Sequence, residues 1–488
     1  MEKTLTTDLS RNLQRFCDLF AREGAFRHRE FQTGMGVNCA VLFFDGMTSS
    51  QILSEDVIRP LICHITPHPP EDPVDHAARQ ILYAGEVKKQ TDVEAMVSGL
   101  LYGECLLLFE GCTVGLTVDT KGWRTRGISE PENERVLQGP HEGFDEAAMP
   151  NLAQIRRKLQ TPDLCAEILR VGRRSRTRVI LCYLGTLANP KLVDTLRKRI
   201  KAIDIDGVLD VNYLNELIRD RKYSMFKTCA STERPDVVAA KLLEGRVAIL
   251  VDGTPVVLTA PCLFVENFQS DEDYYLNFWV SSLGRLLRYL CFFLAISVPA
   301  IYLALITHHK RLLPTFLLLS AAGSRAGVPF SSFLECLILI FVLEILKETG
   351  ARMPQNVGHT LSIIGGLVVG QAAVEARLIS ASMLIVVALS GIAGLMIPRL
   401  RAAVFYLRLG LVLAAVSLGI PGVFLGITLL LCHLLHLSSF GTPYLQPLQT
   451  PTVQGLKDTF VRLPWGVMRT RPAFSRDRVR QRKKERTK

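Results

Sequence analysis

The sequence predicts an α/β two-lobed cytosolic N-terminal region followed by an α-helical multi-span membrane domain. Three observations lead to this fold class. The 488 residues fall into two unlike parts, because residues 1–280 have an ordinary soluble composition whereas residues 286–440 are mostly apolar. The soluble part shows one strand, helix and hairpin pattern twice. The apolar part consists of runs near the length that crosses a bilayer.

We predict four units: a first α/β lobe with an N-terminal helix and a connection (1–145), a second α/β lobe (146–280), a helical membrane domain (281–445) and a basic cytoplasmic tail (446–488). The first residues are polar and amphipathic and show no signal peptide. The twelve cysteines are scattered without a CxxC pair, which suits a reducing compartment. We therefore expect the two lobes in the cytosol.

The basic tail accounts for most of the net charge of +11. From Arg469 to Lys488 there are ten Lys or Arg residues and two acids, which gives the tail a charge of +8. In a soluble protein such a run would suggest nucleic-acid binding. Because this run follows apolar spans, the positive-inside rule places it in the cytoplasm. We expect the tail to contact anionic membrane lipids and not to bind nucleic acid. The alternative is a tail that is simply solvated.

The first lobe is predicted from a short succession of patterns. An amphipathic helix comes first, then a strand that ends in a turn, then two helices. A hairpin with its turn at Glu110-Gly111 follows, and a long connection rich in Gly, Pro and charge closes the lobe. In chain order these elements cover residues 1–30, 37–46, 48–62, 91–102, 104–119 and 120–150.

The second lobe repeats the first after a helix at 151–160. Residues 178–200 predict a strand, a glycine turn and a helix, and residues 235–260 predict a helix and a hairpin. The paired glycines keep nearly the same interval: Gly46 and Gly185 are 139 residues apart, and Gly103 and Gly245 are 142 apart. We infer two related lobes that arose by duplication, with convergence on a common pattern as the alternative.

The apolar part divides into segments of unequal length. Residues 289–307 follow Arg285 and Arg288 and are predicted to cross the membrane from the cytoplasm. Residues 312–323 are too short to cross and are predicted to be re-entrant or interfacial. Both ends of the region flank basic sequence, so the number of crossings should be even; we favour four spans, with six as the alternative. The other segments are 329–350, 356–376, 379–398, 402–419 and 421–438.

The stretch from 350 to 401 carries polar and small residues at membrane depth. Glycine pairs permit close helix packing or a bend, and an ionisable residue at this depth faces a bundle interior or a water path by default. We predict that the segment 354–376 lies close to a pore axis, with simple packing between helices as the alternative. The predicted pore or gating residues are Pro354, Gly365, Gly366, Gly370, Gln371 and Glu375.

No catalytic motif stands out in either lobe. There is no phosphate-binding glycine loop at a helix start and no Ser/His/Asp or Cys/His set. Cys63, His64 and His68 lie close together, but the Pro-rich loop and the lack of a second ligand pair make them a weak metal signal. We expect no enzyme activity, no cofactor and no metal. A membrane enzyme acting on a nucleotide or lipid is the competing class.

Several long motifs occur in one order along the chain. They are RGISEPENERVLQGPHEGF (126–144), STERPDVVAAKLLEGRVAILVDGTPVVL (231–258), LLPTFLLLSAAGSRAGVPF (312–330), SIIGGLVVGQAAVEA (362–376) and LKDTFVRLPWGVMRTRP (456–472). With these motifs the chain resembles the A subunit of the GerA-type spore germination receptors over nearly its whole length.

The resemblance implies a multi-pass protein of the spore inner membrane that couples a small-molecule germinant signal to ion release. It implies a transporter-like B subunit, which is the expected germinant site, and a lipoprotein C subunit as partners. It also implies a homo-oligomer that acts as an ion channel. The alternative is a SpoVAF-like accessory channel subunit of the dipicolinate channel system; neighbouring genes would distinguish the two.

Charged residues in these motifs, and in the motif VGRRSRTRVILCYLG (171–185) that carries the same resemblance, are candidates for contacts between the lobes or for assembly. Arg126, Glu130, Glu134 and Arg173 are predicted to tie the lobes together, with surface solvation as the alternative.

Glu233 and Arg234 belong to a turn that is predicted to serve assembly rather than catalysis. We expect Pro235 at the first position of the next helix, and Thr232 or Asp236 as the side chain that caps it.

Overall fold

The computed structural model describes residues 4–66, 70–122, 131, 134, 136, 138–352, 370–449 and 456–480. The chain first builds two five-stranded antiparallel sheets and then a group of apolar helices.

The first sheet has the strand order β1-β2-β4-β5-β3. Its strands are β1 (Phe26–Gln32), β2 (Asn38–Phe44), β3 (Val87–Gln90), β4 (Cys105–Phe109) and β5 (Gly115–Val118). The central strands β2 and β4 are apolar along most of their length because both faces of the sheet are covered. The hairpin β4–β5 turns at Gly111, whose φ of 79° favours glycine.

The second sheet repeats this order as β6-β7-β9-β10-β8. Its strands are β6 (Leu164–Val171), β7 (Thr177–Leu184), β8 (Ala230–Thr232), β9 (Val247–Val251) and β10 (Val257–Ala260). Each strand of the second sheet therefore corresponds to the strand five earlier in the chain. The identical order is the one expected from the paired glycine intervals.

The helices of the N-terminal part occupy equivalent places around both sheets. Before the first strand of each sheet come α1 (Leu9–Leu19) and α3 (Ala148–Lys158), and before the hairpins come α2 (Val93–Leu101) and α6 (Pro235–Leu243). Helices α4 (Pro190–Lys201) and α5 (Val211–Ile218) follow β7. At the matching place after β2, two short stretches combine α-helical and π-helical turns: Ser50–Ile52, Leu53–Ile58 and Arg59–Cys63, then Pro73–His76 and Ala77–Ile81.

One hydrophobic core is shared by the two sheets. It joins Leu42 and Leu106 of the first sheet to Ile180 and Leu250 of the second, with α1, α2, α3 and α6 between them. Inside this core Arg156 pairs with Glu23 at 2.5 Å, and both side chains are almost fully buried. Each sheet also has a core of its own on its other face. The second sheet packs there against α4 and α5, and the first sheet packs against the helical turns of residues 50–81.

The sequence prediction of the N-terminal part was wrong at its edges. The first helix ends at Leu19, and residues 26–32 form edge strand β1 rather than a continuation of the helix. The segment FRHREFQ is mostly exposed, so it lacks the apolar pattern that revealed the central strands. The short edge strands β3 and β8 were missed for the same reason. Their residues show no strand pattern, and they form strands because they pair with β5 and β10.

The helical part contains two helices long and apolar enough to cross a membrane among the described residues. They are α7 (Phe278–Thr307) and the stretch Pro398–Leu418, which includes α12 (Arg401–Leu418). The shorter apolar helices are α8 (Thr315–Ser324), α11 (Ala381–Leu395) and α13 (Ile420–His436). Charged α9 (Ser332–Arg352) and short α10 (Gly370–Glu375) complete the set. The multi-span count of four or six therefore stays a prediction.

Helix α7 is the centre of the helical part and packs against α11, α12 and α13. Buried polar groups join the helices. Arg408 of α12 donates from Nε to the carbonyl of Ala295 at 2.8 Å and from Nη2 to that of Ser390 at 3.0 Å. Glu335 of α9 accepts the backbone N–H of Ser380, the residue that precedes α11, at 2.6 Å. A carboxylate is favourable at that helix start.

Candidate coupling site between the sheets and the helical part

A set of ion pairs connects the second sheet, the loop that follows it, the helical part and the C-terminal segment. We call this set the junction. Its members are Glu134, Lys241, Arg246, Glu266, Asp271, Asp273, Arg285, Arg288, Arg399 and Asp458. The connecting loop between β10 and α7 forms two short 3-10 turns, Phe264–Phe268 and Asp271–Tyr274, which supply three of the carboxylates.

Glu266 fastens the loop to the second sheet. Its Oε1 lies 2.6 Å from Nη1 of Arg246, and its Oε2 lies 2.6 Å from Nζ of Lys241. Oε1 also accepts the backbone N–H of Leu263 at 2.7 Å. Burial alone would raise the pKa of Glu266, but the two cations and their hydrogen bonds outweigh it and lower the pKa to about 2. Glu266 is therefore a fixed anion at neutral pH.

Asp273 and Asp458 hold the start of α7. Asp273 Oδ2 lies 2.8 Å from Nε of Arg285 and 2.9 Å from Nη1 of Arg288. On its other side Arg285 reaches Oδ1 of Asp458 at 2.7 Å and the Asp458 carbonyl at 2.9 Å. Arg285 is fully buried, so this cation requires both carboxylates. The segment after the last helix is thereby bound to the first long helix.

Arg399 brings the turn between α11 and α12 into the same junction. Its Nη2 lies 3.3 Å from Oδ1 of Asp271 and 3.7 Å from Oε1 of Glu134. Its Nη1 donates to the carbonyls of Glu266 and Gln269, each at 3.3 Å. Burial and the charge of Asp271 raise the pKa of Glu134, so Arg399 offsets a repulsion between the two carboxylates.

Glu134 also binds the turn before α6. Its Oε2 accepts the Thr232 hydroxyl at 2.6 Å and the Glu233 backbone N–H at 3.0 Å. Arg234 is fully buried and donates to the Pro140 carbonyl at 2.9 Å and to Oδ2 of Asp236 at 2.8 Å. The structure thus brings Glu134, Glu233 and Arg234 together.

The other predicted assembly residues lie elsewhere. Arg173 pairs with Asp204 on the exposed surface of the second sheet, so the structure does not place it at a contact between the sheets. Arg126 and Glu130 lie outside the described residues.

The predicted cap of α6 was only partly right. Pro235 occupies the first turn as expected, but the N-cap is Arg234, whose side chain makes no capping hydrogen bond. Thr232 Oγ1 instead accepts the backbone N–H of Arg234 at 3.2 Å, and Asp236 accepts the Arg234 guanidinium. The two candidate capping groups therefore have other partners: Thr232 binds Glu134 and the Arg234 backbone, and Asp236 binds the Arg234 guanidinium.

The predicted pore residues are described only in part. Gly370, Gln371 and Glu375 lie in α10, and Gln371 Nε2 donates to Oε1 of Glu375 at 2.9 Å. Residues four apart share one face of a helix, and this hydrogen bond shows that Gln371 and Glu375 do so. Both side chains are exposed in the single chain. Pro354, Gly365 and Gly366 lie outside the described residues.

A second contact joins the helical part to the second sheet at the end of α13. His436 Nε2 lies 2.6 Å from Nη2 of Arg221, and His433 Nε2 lies 3.2 Å from the Ser224 hydroxyl. Both histidines therefore lie within hydrogen-bond distance of the loop between α5 and β8.

Sequence reasoning missed most of the junction. Arg285 and Arg288 were used only for membrane orientation, and the acid-rich segment SDEDYY (270–275) was given no role. The available signal was an acidic cluster at residues 271–273, twelve or more residues before the basic pair Arg285 and Arg288 in the first three turns of a helix. The distant partners Arg399 and Asp458 had no local signal. Among the described residues no group of three potential metal-ligating side chains occurs.

Comparisons with known proteins agree over nearly the full chain. The model of the Bacillus/Clostridium GerA spore germination protein family matches residues 13–474. The uncharacterized membrane protein YfkQ of Bacillus subtilis is 39% identical over 473 residues, which cover 96% of this chain and 92% of that protein. Spore germination protein KA of the same organism is 38% identical over 460 residues, covering 92% of this chain and 83% of that protein.

The chain is also similar to a solved structure. The N-terminal domain of the A subunit of the Bacillus megaterium spore germinant receptor GerK3 is 32% identical, and the match covers 54% of this chain and 98% of that domain with a TM-score of 0.43. The family match and the two relatives cover both the sheets and the helical part. The chain therefore belongs to the Bacillus/Clostridium GerA spore germination protein family.

Proposed function

We propose that this chain is the A subunit of a spore germinant receptor and passes a germinant signal from its partners to an ion path in the spore inner membrane. The protein has no catalytic role in this proposal. The observation that carries it is the junction, in which Arg399 and Arg285 of the helical part are bound to carboxylates of the N-terminal part. A displacement of either part therefore acts directly on the other.

The direction of the described helices supports a multi-pass arrangement. The start of α7, the turn before α12 and the end of α13 all contact the N-terminal part. At the opposite end, the Tyr302 hydroxyl of α7 donates to Ser382 at the start of α11 at 2.7 Å. We infer that α7 and α12 run away from the sheets while α11 and α13 return. The sheets and the tail then lie on one side of the membrane, and we assign that side to the cytoplasm by the positive-inside rule.

Ion conduction is assigned to a ring of several copies of the chain. Gln371 and Glu375 are exposed in the single chain although they belong to an apolar stretch. Polar atoms at that depth need water or a partner, and a repeated carboxylate favours cations. We propose that α10 faces the axis of the ring. A transporter-like B subunit would carry the germinant site, and a lipoprotein C subunit would complete the receptor.

Ion release from spores tests this function. The gene would be deleted together with its relatives, and the chain would be returned with its neighbouring B- and C-type genes. We expect potassium release after a nutrient mixture only when all three genes are present. Normal release without this chain, at normal levels of the partners, would contradict the proposal.

A further inference from the structure

A cavity of about 300 Å³ lies beside the junction, and the junction residues Arg246, Glu266 and Asp458 form part of its lining. Three regions enclose it: the end of α6 with Arg246, the loop from Leu263 to Tyr274, and the C-terminal segment from Lys457 to Arg480. This volume is at the lower end of the range for small-molecule sites.

The charges around the cavity are unevenly satisfied. Its carboxylates already hold cations: Glu244 binds Arg246 and Arg480, Glu266 binds Arg246, and Asp458 binds Arg285. Two lining cations are different. Neither Lys457 nor Arg478 forms an ion pair with any described carboxylate. Two cationic groups of the lining, Lys457 and Arg478, are therefore not neutralised by a described carboxylate.

The remaining lining is largely apolar. Leu263, Val265, Met468 and Ala473 line it together with prolines and the ring of Tyr274. The Tyr274 hydroxyl donates to Oδ2 of Asp458 at 2.9 Å, so the ring is held in place by the residue that also binds α7. A ligand that complements both the cationic and the apolar part of the lining needs an anionic head and an apolar body.

We propose that this cavity binds a phosphate-bearing amphiphile, with the phosphate at Lys457 and Arg478 and the apolar body against Leu263, Val265 and Met468. Cationic side chains form charge-assisted hydrogen bonds with phosphate oxygens. The ligand is either the head group of an anionic lipid or a soluble phosphate monoester. The site belongs to this chain alone, so it does not depend on the channel function proposed above.

Hexyl phosphate is the probe, with inorganic phosphate as the head group alone. The full chain in phosphatidylcholine nanodiscs would be titrated by calorimetry, with empty nanodiscs subtracted. We expect saturable binding of hexyl phosphate and weaker binding of inorganic phosphate. The double variant Lys457→Gln/Arg478→Gln should bind hexyl phosphate about tenfold more weakly or worse, because it loses two charge-assisted contacts.

Two further variants separate the site from general charge effects. Arg476→Gln removes one cation from the same segment outside the cavity lining, and it should bind like the wild type. Ala473→Trp fills the apolar side and should abolish binding while thermal unfolding shows a folded protein; if it fails to fold, the Lys457/Arg478 pair decides. Equal affinity in all variants, no binding, or equal affinity for inorganic phosphate would overturn the proposal.

The source of the ligand is distinguished by a third arm. Nanodiscs in which part of the lipid is phosphatidylglycerol would be titrated with hexyl phosphate. Loss of binding there assigns the cavity to a lipid head group, and unchanged binding assigns it to a soluble phosphate monoester.

Discussion

Arg285 and Asp458 form an ion pair with a distance of 2.7 Å from Nη1 to Oδ1, although 173 residues separate them in the sequence. The pair joins the start of α7, the first long apolar helix, to the segment that follows the last helix. Because Arg285 also binds Asp273, the loop from the second sheet meets both ends of the helical part at one cation. In the proposed function, this pair is the contact through which movement of the sheets reaches the helices.

Replacement of Arg285 should be costly. Arg285→Ala leaves Asp458 without this partner and leaves buried Asp273 with Arg288 alone, so we expect a loss of about 3–5 kcal/mol of unfolding free energy. Chemical unfolding of the detergent-solubilised full chain would measure it. Arg352→Ala is the matched control, because Arg352 pairs with Glu348 at the exposed surface of α9. This variant should unfold like the wild type. Equal losses in both variants would contradict the role of the junction.

The charge of Glu266 predicts a pH dependence. Its folded-state pKa of about 2 lies below the ordinary value of 4.5, so its stabilising contribution is fully present above pH 4.5 and is lost as the pH falls towards 2. The stability difference between the wild type and Glu266→Gln should therefore be constant above pH 4.5 and shrink below it. Unfolding curves at several pH values would measure this difference. A difference that does not change with pH would refute a charge-based role.

Glu134, Asp271 and Arg399 should behave as a coupled set. Arg399→Gln leaves two neighbouring carboxylates without their shared cation, and Glu134→Gln added to it removes the repulsion. We expect the double variant to recover part of the lost stability, with a coupling energy of about 1–2 kcal/mol in a double-mutant cycle. Thermal or chemical unfolding supplies the four values. Additivity of the two single changes would show that the groups do not interact.

Glu375→Gln should lower cation selectivity without lowering the amount of protein. The reason is that a carboxylate repeated around a ring attracts cations, whereas an amide does not. Reversal potentials of the reconstituted receptor would measure the change. Glu348→Gln at the other end of the helical part is the control and should leave selectivity unchanged. Unaltered selectivity in Glu375→Gln would favour the alternative in which the segment 354–376 only packs between helices.

The sequence predicted the parts of the fold that have a local pattern. The apolar runs of β2, β4, β7 and β9 identified the central strands, and the paired glycines indicated that the two sheets share one order. The polar edge strand β1 escaped because its structure comes from pairing with β2 rather than from its own residues. The junction escaped for a related reason: Arg399 and Asp458 acquire their partners only when segments far apart in sequence meet.

A charge exchange between Arg399 and Asp271 tests the coupling most directly. The measurement is germinant-triggered potassium release from spores that contain Arg399→Asp, Asp271→Arg or both, with protein levels checked by immunoblot. We predict that either single change abolishes release at a normal protein level. The double change should restore part of it, because the ion pair is rebuilt with reversed polarity while the carbonyl contacts of Arg399 are lost. Normal release by Arg399→Asp alone would contradict coupling through the junction.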